Sequence, residues 1–317
     1  WNRRAGREAD GGWRCAQGEI VPARDRSEQV YQAAMLALRD YVNKNGFPGV
    51  LIGLSGGIDS ALSAAIAVDA LGAERVHCVM MPSPYTSQES LEDAQGVADA
   101  LGMRYDTINI GPAMQAFDQM LAPVFEGREP DVTEGNIQAR ARGVILMAMS
   151  NKFGHMVLST GNKSEMSVGY ATLYGDMCGG YNVLKDIYKT TVFQISRWRN
   201  EHKPASALGA EGVVIPWNII TKPPTAELRH DQKDEDSLPP YDHLDDILHC
   251  FIEKEMRVEE VTARGHDAET VKRIWRLLDI AEYKRRQAPP GVKITSRNFG
   301  RDRRYPITNT FRRVAAP

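Results

Sequence analysis

Compact apolar runs alternate with amphipathic stretches along this chain. Residues 29–43 predict an amphipathic helix, with Val30, Ala33, Ala34, Leu36, Ala37 and Tyr41 on one broad face. The run Gly49-Val50-Leu51-Ile52-Gly53-Leu54 predicts a buried parallel strand, and residues 61–68 predict the helix that follows it. Further strands are predicted over 75–81, 104–110 and 155–159, and further helices over 88–101, 133–152, 185–202, 242–255 and 267–285. Strands alternating with helices through short connections predict an α/β fold, a doubly wound parallel sheet with helices on both faces. Ligands in such a sheet sit beyond the carboxyl ends of the strands, near a switch in strand order. Residues 1–26 are polar and without period, residues 169–180 are Gly-rich, and residues 222–241 are polar and Pro-punctuated, which predicts a mobile loop. There is no internal repeat.

Composition adds boundaries rather than detail. At 317 residues, with 42% hydrophobic and 25% charged positions, the chain suits one large soluble domain with appendages. No apolar run approaches the roughly 18 residues of a membrane span. Cys15, Cys78, Cys178 and Cys250 lack C-x-x-C spacing, which suggests neither zinc nor a disulfide framework and fits a reducing, cytoplasmic setting. The chain starts at Trp1 without a methionine, so a cut or processed N-terminus is expected. A net charge of −2 gives no global pull on nucleic acid. The charge is uneven, however. Residues 225–260 carry twelve acids against four bases, and residues 284–317 carry ten bases against one acid, Asp302. Such a basic tail could be a nucleic-acid arm or a clamp for a small polyanion.

The densest chemistry lies in Ser55-Gly56-Gly57-Ile58-Asp59-Ser60, between the first predicted strand and its helix. A Gly pair there lets the backbone turn sharply and leaves its N–H groups bare. Those groups and the helix N-terminus suit phosphate, and Ser55 and Ser60 add hydroxyl donors. Asp59 would repel phosphate unless a divalent cation lies between them. The spacing fits neither the G-x-x-x-x-G-K-[ST] loop nor G-x-G-x-x-G. It resembles the S-G-G-x-D-S pyrophosphate loop of enzymes that cleave ATP between its α- and β-phosphates.

Four later segments join it. Leu158-Ser159-Thr160-Gly161-Asn162-Lys163-Ser164-Glu165 follows the fourth strand, where Glu165 is either a second carboxylate for Mg²⁺ or the acid of a capped helix start. In Asn136-Ile137-Gln138-Ala139-Arg140-Ala141-Arg142, Asn136 and Arg140 share a helix face and Arg142 points elsewhere; an Arg on the crevice face could hold a phosphate or carboxylate. The glycines and aromatics of residues 174–182 suit a loop closing on a flat ring, and Lys189 beyond them could meet leaving phosphates as a point charge. Lys222-Pro223-Pro224-Thr225-Ala226-Glu227-Leu228 precedes the acidic run.

Together and in this order, the five segments resemble NAD⁺ synthetases, and so does the later run Tyr283-Lys284-Arg285-Arg286-Gln287. The resemblance extends from about residue 25 to residue 293. The loop alone is shared with GMP synthetase, asparagine synthetase and tRNA-modifying enzymes; T-G-N-K-S-E, G-D-M-C-G-G-Y-N and K-P-P-T-A-E-L are far more specific. They look like the glutamine-dependent branch, whose glutaminase domain is expected to be absent from these 317 residues. The resemblance implies an adenine nucleotide α-hydrolase-like fold over 25–286, preceded by a linker or domain remnant (1–24) and followed by a basic tail (287–317). It implies amidation of deamido-NAD⁺ by ammonia with ATP and Mg²⁺, in a homodimer whose interface the apolar stretch 144–149 could serve. Gly53, Leu54, Ser55, Gly56, Gly57, Ile58, Asp59, Ser60, Thr160, Lys189 and Thr225 would then bind ATP. Asn136, Glu165, Lys284 and Arg140 would bind deamido-NAD⁺, and Asp59 and Glu165 the metal. No side chain is implied as a covalent catalyst. The rival readings are a GMP- or tRNA-directed relative and an ATP-binding module without turnover.

Overall fold

The computed structural model describes residues 5–7, 13–15, 24–229, 234 and 238–308. Two short antiparallel strands, β1 (Ala5–Arg7) and β2 (Trp13–Cys15), lie within the region read as aperiodic. Parts of the mobile-loop expectation (230–233, 235–237) and of the basic tail (309–317) lie outside the described residues. Among the described residues no helix is long and apolar enough to cross a membrane.

Helix α1 (Arg26–Lys44) leads into β3 (Val50–Gly53), α2 (Ile58–Leu71), β4 (Val76–Met80), α3 (Gln88–Leu101) and β5 (Arg104–Thr107). Helices α4 (Gly111–Leu121) and α5 (Val132–Phe153) precede β6 (Met156–Ser159), α6 (Lys163–Val168), β7 (Tyr181–Asn182) and α7 (Lys189–Glu201). The five strands β3–β7 form one parallel sheet in the order β5-β4-β3-β6-β7. The chain therefore builds outward from β3 in one direction and restarts at β6 on its other side. That switch places the loops after β3 and β6 side by side.

Alternation within the strands sends side chains to both faces. Val50 and Ile52 join Ala64, Ala65 and Val68 of α2 in the main core, which α1, α3 and α7 complete. Leu51, Val79 and Val157 meet Ile145, Leu146 and Met149 of α5 on the other face. Almost every residue of α2 is buried, and its many alanines let it lie close to the sheet. Beyond the short helix α8 (Trp217–Thr221), a second core gathers α9 (Tyr241–Ile252), α10 (Val258–Thr262), α11 (Ala268–Ile280) and Phe299.

Several local expectations shift. The buried stripe of α1 is Val30, Ala34, Leu38 and Val42 with Tyr31 and Met35, while Leu36 is exposed. The helix read over 185–202 starts only at Lys189, because the Asn182 side chain accepts from the Leu184 N–H at 2.9 Å and holds the preceding residues in a turn. The helix read over 267–285 breaks at Ala281 into α11 and α12 (Glu282–Arg285); Arg285 Nη2 donates to the Leu278 carbonyl at 2.6 Å, capping the first piece. Helix α4 and the two-residue strand β7 add to the predicted elements; Met114, Phe117 and Leu121 of α4 do recur at helical spacing, although none of its residues is fully buried.

The candidate nucleotide crevice

The loop after β3 turns as its glycines require. Gly56 has φ of +77°, and a Cβ there would lie 2.3 Å from the Ser90 carbonyl oxygen, so no other residue fits. Gly57 begins α2 with no side-chain cap, which leaves the helix N-terminus open to an anion. The serines brace the turn: Ser60 Oγ accepts from the Ser55 N–H at 3.1 Å, and Ser55 Oγ accepts from the Gly57 N–H at 3.2 Å.

Beside it, Asn162 caps α6. Its Oδ1 accepts from the Glu165 N–H at 3.0 Å, and its Nδ2 donates to Asp59 Oδ1 at 2.9 Å. Glu165 takes the capped-helix-start role of the two read from the sequence. One carboxylate oxygen accepts from the Asn162 N–H at 3.3 Å, completing the capping box, and the other faces Lys189 Nζ at 3.3 Å. Lys189 also donates to Asp59 Oδ2 and stands 5.2 Å from the centre of the Tyr241 ring. Burial and then the Asp59 charge push the Glu165 carboxyl up to about 8. Burial works against the Lys189 ammonium, but Asp59 and Glu165 outweigh it and raise its pKa above the usual lysine range.

These groups line a cavity of about 210 Å³, with Thr160, Thr225 and Asp234 on its wall. A second cavity of about 220 Å³ adjoins it and shares Ser55, Thr160, Asp176 and Glu227. Its floor is apolar, from Leu54, Val79, Met81, Leu146 and Leu158, and Gly53 keeps it open: a Cβ there would come within 3.3 Å of Met81 and Leu146. The first chamber holds the Asp59, Glu165 and Lys189 charges, and the second combines an apolar floor with Arg142, Asp176 and Glu227 at its rim.

The sequence candidates divide accordingly. Leu54, Ser55, Gly57, Ile58, Asp59, Ser60, Thr160, Glu165, Lys189 and Thr225 line one chamber or the other, and Gly53 the second. Gly56 shapes the turn from behind. Asn136 accepts from the Thr172 hydroxyl at 2.8 Å, and Arg140 is exposed, donating to the Leu173 carbonyl at 3.2 Å; neither lines a chamber. Lys284 donates to the carbonyls of Gly169 and Ala171 at 2.7 and 2.6 Å, behind the 169–180 loop. The arginine on the crevice is Arg142, whose Nε donates to the Met81 carbonyl at 3.0 Å. Burial lowers its pKa to about 10 despite Glu227 and Asp176.

Asp176 and Glu227, quoted in motifs but given no role, form the partition between the chambers. Asp176 is exposed to the chambers, yet the protein crowded round it pushes its carboxyl up to about 6, even though it accepts from the Thr172 N–H at 2.8 Å. Glu227, at φ of +47°, accepts from the hydroxyls of Ser87 and Ser90 at 2.7 and 2.9 Å, tying its loop to the start of α3. Asp234 accepts from Tyr241 at 2.8 Å. These residues come from distant segments, and only their presence inside quoted motifs hinted at them.

The family model for NAD synthase matches residues 30–288 of this sequence. The chain belongs to the NAD synthase family. It is 56% identical over 301 residues to a glutamine-dependent NAD(+) synthetase of Rhodobacter capsulatus, covering 95% of this chain and 54% of that protein. It aligns with the structure of a glutamine-dependent NAD⁺ synthetase from Acinetobacter baumannii in complex with ADP, with a TM-score of 0.63 and 50% identity over 96% of this chain and 54% of that one. The structure of an NMN synthetase from Francisella tularensis aligns with a TM-score of 0.67 and 28% identity over 81% of this chain and 95% of that one. The chain spans about half the length of the curated relatives it matches. The family match covers the sheet, both chambers and the Lys284 helix.

Proposed function

We propose that this chain amidates deamido-NAD⁺ to NAD⁺ at the expense of ATP. The observation that carries the reading is the two-chamber crevice at the strand-order switch. An apolar slot suited to a purine opens directly onto an uncapped helix N-terminus and a buried Lys189–Asp59–Glu165 cluster. The glutamine-dependent NAD(+) synthetases among its relatives point to the same reaction.

ATP would lie with its base over Leu54, Val79 and Leu146 and its phosphates at the loop 55–60. An oxygen of the nicotinate carboxylate attacks the α-phosphorus, the bond from that phosphorus to the bridging oxygen breaks, and pyrophosphate leaves. Ammonia then attacks the acyl carbon, AMP departs with the bond's electrons, and the nitrogen sheds a proton to water. The protein positions groups and neutralises charge. The α2 N-terminus and Lys189 hold the developing charge on the leaving pyrophosphate, while Asn162 and Lys189 fix the orientation of Asp59.

The donor set fits Mg²⁺. Asp59, Glu165 and Asp234 stand round Lys189, and burial first and then the Asp59 charge push Glu165 up. Among the described residues no group of three or more acids, histidines or cysteines is preassembled for a metal, so phosphate oxygens would complete the shell around Asp59 and Glu165. When bound, the cation would offset charge on the β- and γ-phosphates.

The exposed Phe117 and Met120 of α4 and Val144 and Met147 of α5 make an apolar face suited to a homodimer, and the free Cys78, Cys178 and Cys250 suit the cytoplasm. The test is pyrophosphate and AMP release from ATP with ammonia and deamido-NAD⁺. Equimolar AMP, pyrophosphate and NAD⁺ are expected; release driven instead by nicotinic acid mononucleotide, RNA or XMP would reassign the acceptor, and ATP binding without release would remove the enzyme.

A further inference from the structure

The segment 293–299 lies outside both chambers, yet it ends on the two helix starts that build them. Lys163, the first residue of α6, is fully buried. Its ammonium donates to Glu253 Oε1 at 2.6 Å, Thr295 Oγ1 at 2.6 Å and the Arg297 carbonyl at 2.7 Å, and lies 2.9 Å from Asp186. The rings of Tyr188 and Phe299 enclose it, with centres at 5.0 and 5.7 Å. The same two carboxylates grip the segment's backbone. Asp186 Oδ2 accepts from the N–H groups of Ile294 and Thr295, each at 2.8 Å, and Glu253 Oε2 accepts from the Arg297 N–H at 2.9 Å and from the Ser296 hydroxyl.

Three short links carry this hub to the crevice. Lys163 directly follows Asn162, the partner of Asp59, and precedes Glu165 by two residues. Its own N–H donates to the Ile187 carbonyl at 2.9 Å, two residues before Lys189. The Lys189 N–H in turn donates to the Ser164 hydroxyl at 2.9 Å. The starts of α6 and α7 are therefore pinned to each other and to the segment through one buried cation.

We propose that Lys163 is a positioning residue and that residues 293–299 are a strap whose docking on it sets the spacing of Lys189 against Asp59 and Glu165. A buried ammonium with three hydrogens among four oxygen partners can lose one and stay satisfied only by re-aiming at the other three, and loss of the Thr295 hydroxyl both forces that re-aiming and unties the segment's side chain from it. Release of the strap lets the two helix starts shift, and a shift of about 1 Å at a charged site is enough to slow chemistry by one to two orders of magnitude. The reading rests on the amidation function above only for its catalytic arm.

Thr295 is the test position, because it lines neither chamber and its hydroxyl both accepts from Lys163 and donates to Asp186 at 2.9 Å. Thr295→Val keeps the shape and removes the hydroxyl; Thr295→Ser keeps the hydroxyl; Lys163→Met removes the hub, and Thr295→Val is the variant that counts if it fails to fold. In Thr295→Val, amide exchange at Lys163, Glu165 and Lys189 is expected to quicken about tenfold while the amides of α1 stay unchanged. Its kcat for pyrophosphate release is expected to fall about tenfold with KM for ATP within about twofold, and Thr295→Ser to restore both. Unchanged exchange at α6 and α7 in Thr295→Val overturns the strap, and so does a lowered melting temperature with unaltered kcat. If the unsubstituted chain releases no pyrophosphate, the amidation reading falls and the exchange arm alone decides the strap.

Discussion

Asp176→Asn should gain stability relative to the native chain as pH rises, and should turn over more slowly. Asp176 is exposed on the partition between the chambers, and the protein packed round it raises its carboxyl from 3.8 to about 6. The native chain therefore holds a proton between those two values that the unfolded chain has released, and stability falls as pH rises through that window. Unscreened, two pH units would carry about 3 kcal/mol, but a solvent-exposed carboxyl is screened and keeps only a fraction of that, on the order of 1 kcal/mol, most of it developing between about pH 4.5 and 7.5. Asparagine mimics the neutral acid and can still accept from the Thr172 N–H. Its second polar atom changes from acceptor to donor, which adds a pH-independent offset of about 1–2 kcal/mol.

The offset cancels in the difference that matters. Urea unfolding of both proteins from about pH 4.5 to 7.5 should give a stability difference that moves by roughly 0.5–1 kcal/mol in the variant's favour as pH rises. Pyrophosphate release should fall at the same time, because the variant removes a carboxylate that borders both chambers. A difference that stays flat with pH would show that Asp176 is not held protonated by the fold, and full activity in Asp176→Asn would remove it from the crevice chemistry.

Other substitutions divide the site further. Asp59→Asn should keep the fold, since asparagine can still accept from Asn162, but abolish pyrophosphate release through loss of several kcal/mol of cation-assisted stabilisation; calorimetry and a pyrophosphate assay check the two halves. Lys284→Ala frees the carbonyls of Gly169 and Ala171 behind the loop bearing Asp176, and losing such charge-assisted bonds, worth about 1.5–3 kcal/mol each, should lower stability in urea unfolding and, because Asp176 borders both chambers, raise KM for ATP and for deamido-NAD⁺ together. If the proposed homodimer forms on this face, Val144→Asp with Met147→Asp should give a monomer in light scattering with the sheet intact by circular dichroism, because both side chains are exposed; a native chain that is already monomeric would remove the proposed face.

The pyrophosphate loop and its place in the fold were legible because both are local. An apolar run, two glycines and an alanine-rich helix fix a strand, a turn and an open helix N-terminus within a short stretch of chain. The neighbouring loop at Thr160 was legible because the order of strands and helices forces a switch beside it. The crevice arginine was not. Asn136 and Arg140 share a helix face with each other, but which face of α5 looks into the crevice depends on how Leu146 and Met149 seat against Leu51 and Val157, a packing choice no spacing records. Arg142 lies on that face and Arg140 does not.

The two charge runs carry the same lesson further. Counted along the chain, residues 284–317 form a basic arm in want of a polyanion, and residues 225–260 form a solvated acidic block. In the fold they meet. Arg297 and Arg303 pair with Glu255 at 3.1 and 2.7 Å, Arg297 and Ser296 bind Glu253, and Lys293 pairs with the tail's own Asp302 at 2.6 Å. The pairs at Glu255 are exposed and contribute about 0–1 kcal/mol each, so they do not hold the tail down. Buried Lys163 does, with Glu253 and Asp186 closing on it from both sides. It sits in a T-G-N-K-S-E motif whose neighbours drew the attention, and nothing in its sequence context separates a surface lysine from a buried hub. Opposite charge runs within one chain are each other's nearest candidate partners: here Glu253 and Glu255 of one meet residues 296–303 of the other, while Thr295 beside them bonds Lys163 and Asp186.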